Sequence, residues 1–279
     1  MKKLILTLLS IFALVACGGE ESTGEAGDII SENEVLETII VGASPTPHAE
    51  ILEAAKPLLA EKGYELDIRV FQDYILPNRT LTDGELNANY FQHTPYLENY
   101  NEENGTNIVK AAGIHVEPIG IYSKNYSSLE DLPEGAEVIM SSSPTDQGRM
   151  LTLLEAKGLI TLDPTIDLGD LRLEHIVDNP KNLEFRADID PGMLVQAYRN
   201  NEGDAVLINT NFALDGGLEP LKDAIALEDA DSPFVNIIAV NPGDENSEKI
   251  QALIDVLHSE EIHNFIIKTF PGAVNPVSE

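Results

Sequence analysis

The chain predicts an α/β fold of two lobes with a ligand cleft between them, and three observations lead there. First, Thr38–Ala43 (TIIVGA), a helical stretch from His48 and the alternating Tyr64–Phe71 (YELDIRVF) read as strand, helix, strand, the crossover unit of a parallel sheet. Second, Gly203–Asn209 (GDAVLIN) echoes Gly84–Asn89 (GELNAN). Polar side chains thus stand twice at the carboxyl end of a short strand, where open α/β sheets present ligands. Third, Phe71–Tyr100 holds Phe71, Tyr74, Tyr90, Phe91, Tyr96 and Tyr100, six of the chain's eight tyrosines and eight phenylalanines, interleaved with amides and His93. A core element would space such rings at a fixed period, whereas rings beside placed polar groups suit a small-molecule pocket.

The N-terminus is processed rather than folded on this reading. After Met1-Lys2-Lys3, Leu4–Ala16 is an apolar run of thirteen residues. A spanning helix needs ~20 apolar residues, so residues 1–16 fit a signal peptide instead. The run ends Leu14-Val15-Ala16-Cys17, which resembles the lipobox of bacterial lipoproteins. That resemblance implies cleavage before Cys17 and acylation of its thiol, as by palmitate. Cys17 is the only cysteine, so no disulfide framework competes for it. Residues 17–37 are expected to be a flexible tether, because Gly18–Asn33 is rich in Gly, Ser, Glu and Asp with little to bury.

The net charge of −31 becomes −33 when Lys2 and Lys3 leave with the leader. Nucleic acid is excluded as a partner, since phosphate binding rests on clustered Lys and Arg. The acidity reads as a solvated, self-repelling surface.

Along the body, Ile51, Leu52, Ala55, Leu58 and Leu59 recur at helical spacing up to Gly63. A short strand is expected at Glu85–Tyr90, ending at Phe91-Gln92-His93. Thr94 is placed to cap, and Pro95 to open, a helix to about Asn104. Ile108–His115 and Glu117–Ser123 read as strands, and Ser127–Leu132 as a capped helical turn. The strand Ala136–Met140 leads through Ser141–Asp146 into a helix, Gln147–Lys157. Then come strand Leu183–Ala187, helix Pro191–Asn200 and strand Asp204–Ile208, which reaches Asn209-Thr210-Asn211. Ser232–Val240 is an apolar strand that returns to the first lobe. Helices at Ser247–His258 and Glu260–Phe270 close the chain.

From about Thr38 to Val277 the sequence resembles the NlpA family of methionine-binding lipoproteins. The matching segments are Gly42–Pro45 with His48–Leu52, Asp73–Asn78, Asn89–His93 with Pro95–Leu97, and Gly120–Ser123. Further on come Pro144-Thr145 with Gly148-Arg149, Val177–Leu183, Ile208–Asn211 and Ser232–Asn236. The resemblance implies a two-lobed substrate-binding protein of the periplasmic-binding type, type 2 like. Lobe 1 would be 38–119 with 231–279, lobe 2 would be 120–230, and two crossover strands near Ile121 and Asn236 would form the hinge. It implies a lipid-anchored monomer outside the cytoplasm. That monomer would hand methionine (L-methionine, or also D-methionine or methionyl peptides) to the permease and ATPase subunits of an ABC importer, with no cofactor. One position departs from the pattern: relatives usually carry Asn where this chain has Asp146.

A zwitterionic ligand needs a carboxylate binder, an ammonium acceptor and a side-chain pocket. Arg149 is expected to bind the carboxylate through its planar fork. Asn209 and Asn236 each offer an amide donor and acceptor. Tyr74, Phe91 and His93 are expected to line the side-chain pocket, where a thioether gains from aromatic edges. Glu117 is a candidate for the ammonium. The bland alternatives are a surface ion pair for Arg149, capping for the two amides and a satisfied core histidine for His93.

Catalysis finds no support in motif form, with no Gly-x-Ser-x-Gly, His-Glu-x-x-His or phosphate loop. The rival is a metal-ion-binding lipoprotein of an uptake system using His48, His93, His115 and a carboxylate. Those histidines are not spaced as a ligand cluster, and no metal site is assigned. A lipid-anchored adhesion or structural protein would not need this set of rings, amides and arginine.

Overall fold

A computed structural model describes residues 36–229 and 232–278. The expected signal peptide, Cys17, the tether up to Val35 and the lobe boundary at Asp231 lie outside the described residues.

Strand β1 (Glu37–Ala43) starts one residue inside the expected tether and leads to α1 (Glu50–Glu61), β2 (Tyr64–Val70) and α2 (Leu76–Thr82). Next are β3 (Ala88–His93), α3 (Thr94–Asn104), β4 (Val109–Val116), β5 (Gly120–Tyr122), β6 (Glu137–Ser141) and α4 (Pro144–Ala156). The chain continues through β7 (Thr161–Leu162), β8 (Ile176–Asp178), β9 (Glu184–Ile189), α5 (Leu194–Arg199), β10 (Ala205–Ile208), α6 (Thr210–Asp215), α7 (Pro220–Asp223) and β11 (Ala224–Leu227). It ends with β12 (Val235–Val240), α8 (Glu248–Leu257), α9 (Glu260–Thr269) and β13 (Asn275–Pro276).

Two sheets organise these elements. The first has six strands in the order β13-β4-β12-β3-β1-β2, and the second has five in the order β11-β5-β10-β6-β9. β1 pairs in parallel with β2 and β3, which fulfils the strand–helix–strand expectation for the opening segment. β12 comes back antiparallel between β3 and β4. In the second sheet β6 runs parallel to β9 and β10, while β5 is antiparallel to β10 and β11.

Each sheet has its own core. On one face of the first sheet, Ile39, Val41 and Tyr90 pack with Ile51, Leu52 and Leu59 of α1 and with Leu253, Leu257 and Ile266 of α8 and α9. The opposite face buries Leu81 and Leu97 of α2 and α3 against Ile237 and Ala239. A separate cluster around Ile121, Val138, Met150, Leu154 and Leu207 fills the second lobe. The two-lobed α/β architecture follows from two cores that close independently.

The joins differ from expectation. β5 pairs only within the second sheet and β12 only within the first, so neither is a crossover strand. The chain changes lobe at Glu117–Ile119 and again between Leu227 and Val235, where the described residues form no strand. Pro118 and Pro233 sit in these crossings, and a proline supplies no N–H to a ladder. Two element boundaries also move. β3 begins later than Glu85 and runs through His93, so His93 rather than Thr94 caps α3, its Nδ1 accepting from the Tyr96 N–H at 3.2 Å. Ser127–Leu132 forms bends and a turn rather than a helix.

Candidate functional site

The carboxyl ends of the parallel strands and the two crossings converge on one tight space between the lobes. Its lining includes all seven residues singled out from the sequence: Tyr74, Phe91, His93, Glu117, Arg149, Asn209 and Asn236. It also includes Gln92, Tyr96, Ile119, Asp146, Thr210 and Asn211. Strand ends place most of them. Phe91 and His93 finish β3, Asn236 is the second residue of β12, and Asn209 follows β10 as the position before α6. Asp146 and Arg149 stand in the first two turns of α4.

Rings form one wall. Tyr74 lies 4.9 Å from Phe212 and 6.0 Å from both Phe91 and Tyr96, centroid to centroid. Its hydroxyl donates to Asn211 Oδ1 at 2.7 Å, so a lobe-1 loop is hydrogen-bonded to lobe 2. His93 packs against Phe234 at 5.0 Å. Burial, and then the charge of Arg149, hold its pKa well below the usual histidine value, so at neutral pH it is an uncharged part of this wall.

Arg149 is buried and ties the two crossings together. Its Nε is 3.1 Å from both carboxylate oxygens of Glu228, and Nη2 donates to the Glu117 carbonyl at 2.7 Å. Glu228 also accepts from the Ile119 N–H at 3.1 Å and from Ser232 Oγ at 2.9 Å. The surface ion pair posed as the bland alternative is therefore replaced by a buried one. The Nε–Nη2 edge of the fork is already engaged, and Nη1 makes no hydrogen bond among the described residues. Arg149 thus offers a ligand one end of its guanidinium rather than the parallel edge expected from sequence. The Phe234 ring lies 4.4 Å below its central carbon.

Behind the cavity lies a chain of buried groups. The Tyr90 hydroxyl bonds His115 Nδ1, and His115 Nε2 is 2.6 Å from Glu117 Oε1. His48 Nε2 is 3.2 Å from the same oxygen and 3.0 Å from Asn236 Oδ1. Burial lowers the pKa of His48 to about 4 and of His115 to about 3, so both are neutral at pH 7. Burial raises that of Glu117, opposed by His48 and Arg149. His48, His115 and Glu117 can be grouped as a metal-ligand set, but His93, the third histidine of the metal reading, is not in it. A zinc ion at ~2.0–2.1 Å from each of two tetrahedral ligands would hold them ~3.3 Å apart. The 2.6 Å contact is instead a charge-assisted hydrogen bond.

Some amides in the aromatic-rich stretch also hold one another in the fold, Gln92 while lining the cavity. Asn78, Asn89 and Gln92 are buried and bond one another: Asn78 Nδ2 to Gln92 Oε1 at 2.8 Å, and Gln92 Nε2 to Asn78 Oδ1 at 2.7 Å. Sequence reasoning missed Glu228, which no pattern separates from the other acidic residues, 48 in all. It also passed over Asn211, although that residue stood in the quoted Ile208–Asn211 segment.

Comparison with known proteins returns a consistent set. The family model described as NlpA lipoprotein matches residues 39–278. The methionine-binding lipoprotein MetQ of Bacillus subtilis (strain 168) is 50% identical, covering 100% of each chain. A nutrient binding protein from Burkholderia cenocepacia, solved bound to methionine, superposes with a TM-score of 0.81 at 36% identity, covering 85% of this chain and 99% of that one. An ABC transporter periplasmic substrate-binding protein from Coxiella burnetii also gives a TM-score of 0.81 at 34% identity, covering 86% and 100%.

Proposed function

Because the chain belongs to the NlpA lipoprotein family, we propose that it is a lipid-anchored, extracytoplasmic binding protein that captures methionine for an ABC importer. One observation carries this reading: a guanidinium end, a carboxylate and two amides converge in a single buried cavity beside a wall of aromatic rings. A zwitterion with an apolar side chain satisfies all of them at once. Arg149 Nη1 and the Asn236 amide take the carboxylate, Glu117 takes the ammonium, and Tyr74, Phe91 and His93 hold the thioether. Residues 38–119 with 231–279 and residues 120–230 are the lobes that close over it. The role we propose is binding rather than catalysis.

Cys17 would carry the lipid. One acyl chain holds a protein only marginally, whereas two or more anchor it stably. Mature protein should partition with membranes and Cys17→Ser should be released or stall in processing.

Competition calorimetry on stripped protein tests the ligand. Methionine should exceed norleucine by a small factor, since shape is kept and a sulfur–aromatic contact contributes only ~0.3–1.5 kcal/mol. Alanine should be much weaker, each lost methylene-sized group costing ~1–3 kcal/mol. Glutamate should be weakest, because a second carboxylate would enter a desolvated aromatic pocket. Alanine or glutamate matching methionine would overturn the assignment.

A further inference from the structure

Two of the three asparagines that line the cavity, Asn209 and Asn236, are held in opposite senses. Asn209 Nδ2 donates to Asp146 Oδ1 at 3.1 Å. The other carboxylate oxygen accepts from Ser141 Oγ at 2.8 Å, and that hydroxyl receives the Ser143 N–H at 3.1 Å. Asp146 is in the first turn of α4, where the helix N-terminus favours an anion. Beside a carboxylate with its own donor in place, the amide of Asn209 has one acceptable orientation, NH2 toward Asp146. Its Oδ1 is then buried with no hydrogen-bond partner, on a side chain that lines the cavity. Such an acceptor is costly to leave unmet.

Asn236 is set the other way. The Glu117 carboxylate, 3.2 Å from His48 Nε2, requires the proton on that nitrogen. A protonated Nε2 in turn requires Oδ1, not Nδ2, of Asn236 at 3.0 Å. The unpartnered His48 Nδ1 is then the lone-pair nitrogen. Asn236 is left with its NH2 as the free group.

We propose that Asp146 is a positioning residue that fixes Asn209 as an ammonium acceptor, so that the cleft has a built polarity and takes amino acids with a free α-ammonium. Asn209 and Glu117 form the ammonium end, and Asn236 and Arg149 form the carboxylate end. This rests on the cavity being the methionine site. Asparagine at 146 could face Asn209 with either its oxygen or its NH2, so orientation and local charge would both be lost as constraints. The acid therefore tightens discrimination against ligands whose ammonium is replaced or acylated.

The test compares methionine with its 2-hydroxy analogue, in which a hydroxyl replaces the ammonium, and with N-acetylmethionine, on wild type and Asp146→Asn. A hydrogen bond to a charged group corresponds to roughly tenfold in affinity or more. The preference for methionine over the hydroxy analogue should fall by about fivefold to tenfold in the variant. N-acetylmethionine should bind wild type at least about a hundredfold more weakly than methionine, because the acylated nitrogen is uncharged and bulkier. An unchanged ratio in a variant that unfolds at the wild-type temperature overturns the proposal. So does a crystal structure of the wild-type methionine complex with the ligand's carboxylate, not its nitrogen, at Asn209 Oδ1; that arm needs no variant. Wild type failing to bind methionine at all sinks the functional reading instead, which keeps the two failures apart.

Discussion

Arg149 has a structural partner and a free end, and this changes what its removal should do. Truncating one member of a buried charge pair costs ~2–5 kcal/mol, or roughly 30- to 4,000-fold in affinity where the pair includes the ligand. From sequence alone, Arg149→Ala would weaken methionine and leave the fold intact. With Glu228 held against Arg149 Nε at 3.1 Å, the same change also leaves that carboxylate without its cation where the two crossings meet. The variant should lose binding in calorimetry and unfold at a lower temperature, while Arg149→Lys, which keeps charge but not the fork, should recover part of the stability. Binding within about threefold of wild type would show that the free guanidinium end meets no ligand. His48 gives a second test. Its pKa is 6.5 unfolded and about 4 folded, so its stability contribution is complete above 6.5. As pH falls from 6.5 toward 4 the unfolded chain takes up the proton first, and stability is lost. By pH 5 that loss is ~2 kcal/mol. In urea unfolding at pH 7 and pH 5, wild type should therefore lose ~2 kcal/mol more than His48→Gln, which keeps an N–H for Asn236 but cannot titrate. Equal losses would mean that His48 is not held neutral. At this scale the sequence showed residue types but not their partners. Tyr74, Phe91 and His93 stand out because rings among polar residues fit no core period. Nothing local couples Glu228 to an arginine 79 positions away.

Elements carry a different kind of constraint, seen best at α4, which presents both Asp146 and Arg149. Gly148 lies between them against the turn near Leu168, and a Cβ there would sit 2.4 Å from the Leu168 carbonyl oxygen. Helix propensity favours alanine over glycine by ~1 kcal/mol, but a backbone oxygen cannot rotate away as a side chain can. Gly148→Ala should therefore be net destabilising, by ~1–3 kcal/mol in denaturant unfolding, and should weaken methionine by displacing Arg149. A stabilised variant would show that the turn yields. The helix itself was readable from Ser141–Asp146 followed by the run to Lys157, as were β1, α1, β2 and the two final helices. Long periodic segments declare themselves through burial on one face. β3 ends at His93 as expected but starts at Ala88 rather than Glu85; all six of its residues are buried, including Asn89, Gln92 and His93, so no alternation marks its start. Its polar members are satisfied by Asn78 and by α3, contacts that exist only after folding. Ser127–Leu132 has a helix-start signal, yet its Ser128 hydroxyl bonds Asp131 at 3.1 Å in a turn that goes no further.

The whole molecule is two cores joined by two short crossings, and that is the part of the architecture least visible in the sequence. Two lobes could be inferred from the repeated strand-end pattern. The crossings could not, because prolines in irregular segments look like any loop until both are seen bonded to Arg149. Adding methionine to stripped protein should close the lobes, and small-angle scattering should report a smaller radius of gyration. Tyr74 bridges the cleft. Tyr74 and Tyr96 line both the inner cavity and an outer one that also includes Phe212, Pro144 and Pro191, so they stand between the ligand space and the cleft mouth. The Tyr74 hydroxyl reaches Asn211 at 2.7 Å, a bond between lobes that opening must break. Tyr74→Phe keeps the ring and deletes only that bond, which is neutral and contributes ~0.5–1.5 kcal/mol. Opening the cleft would break it, so association should be little changed. Dissociation should accelerate by roughly 2- to 10-fold, read by stopped-flow displacement. A variant that instead binds more slowly and releases at the wild-type rate would mean that Tyr74 shapes entry, and that other contacts hold the lobes shut.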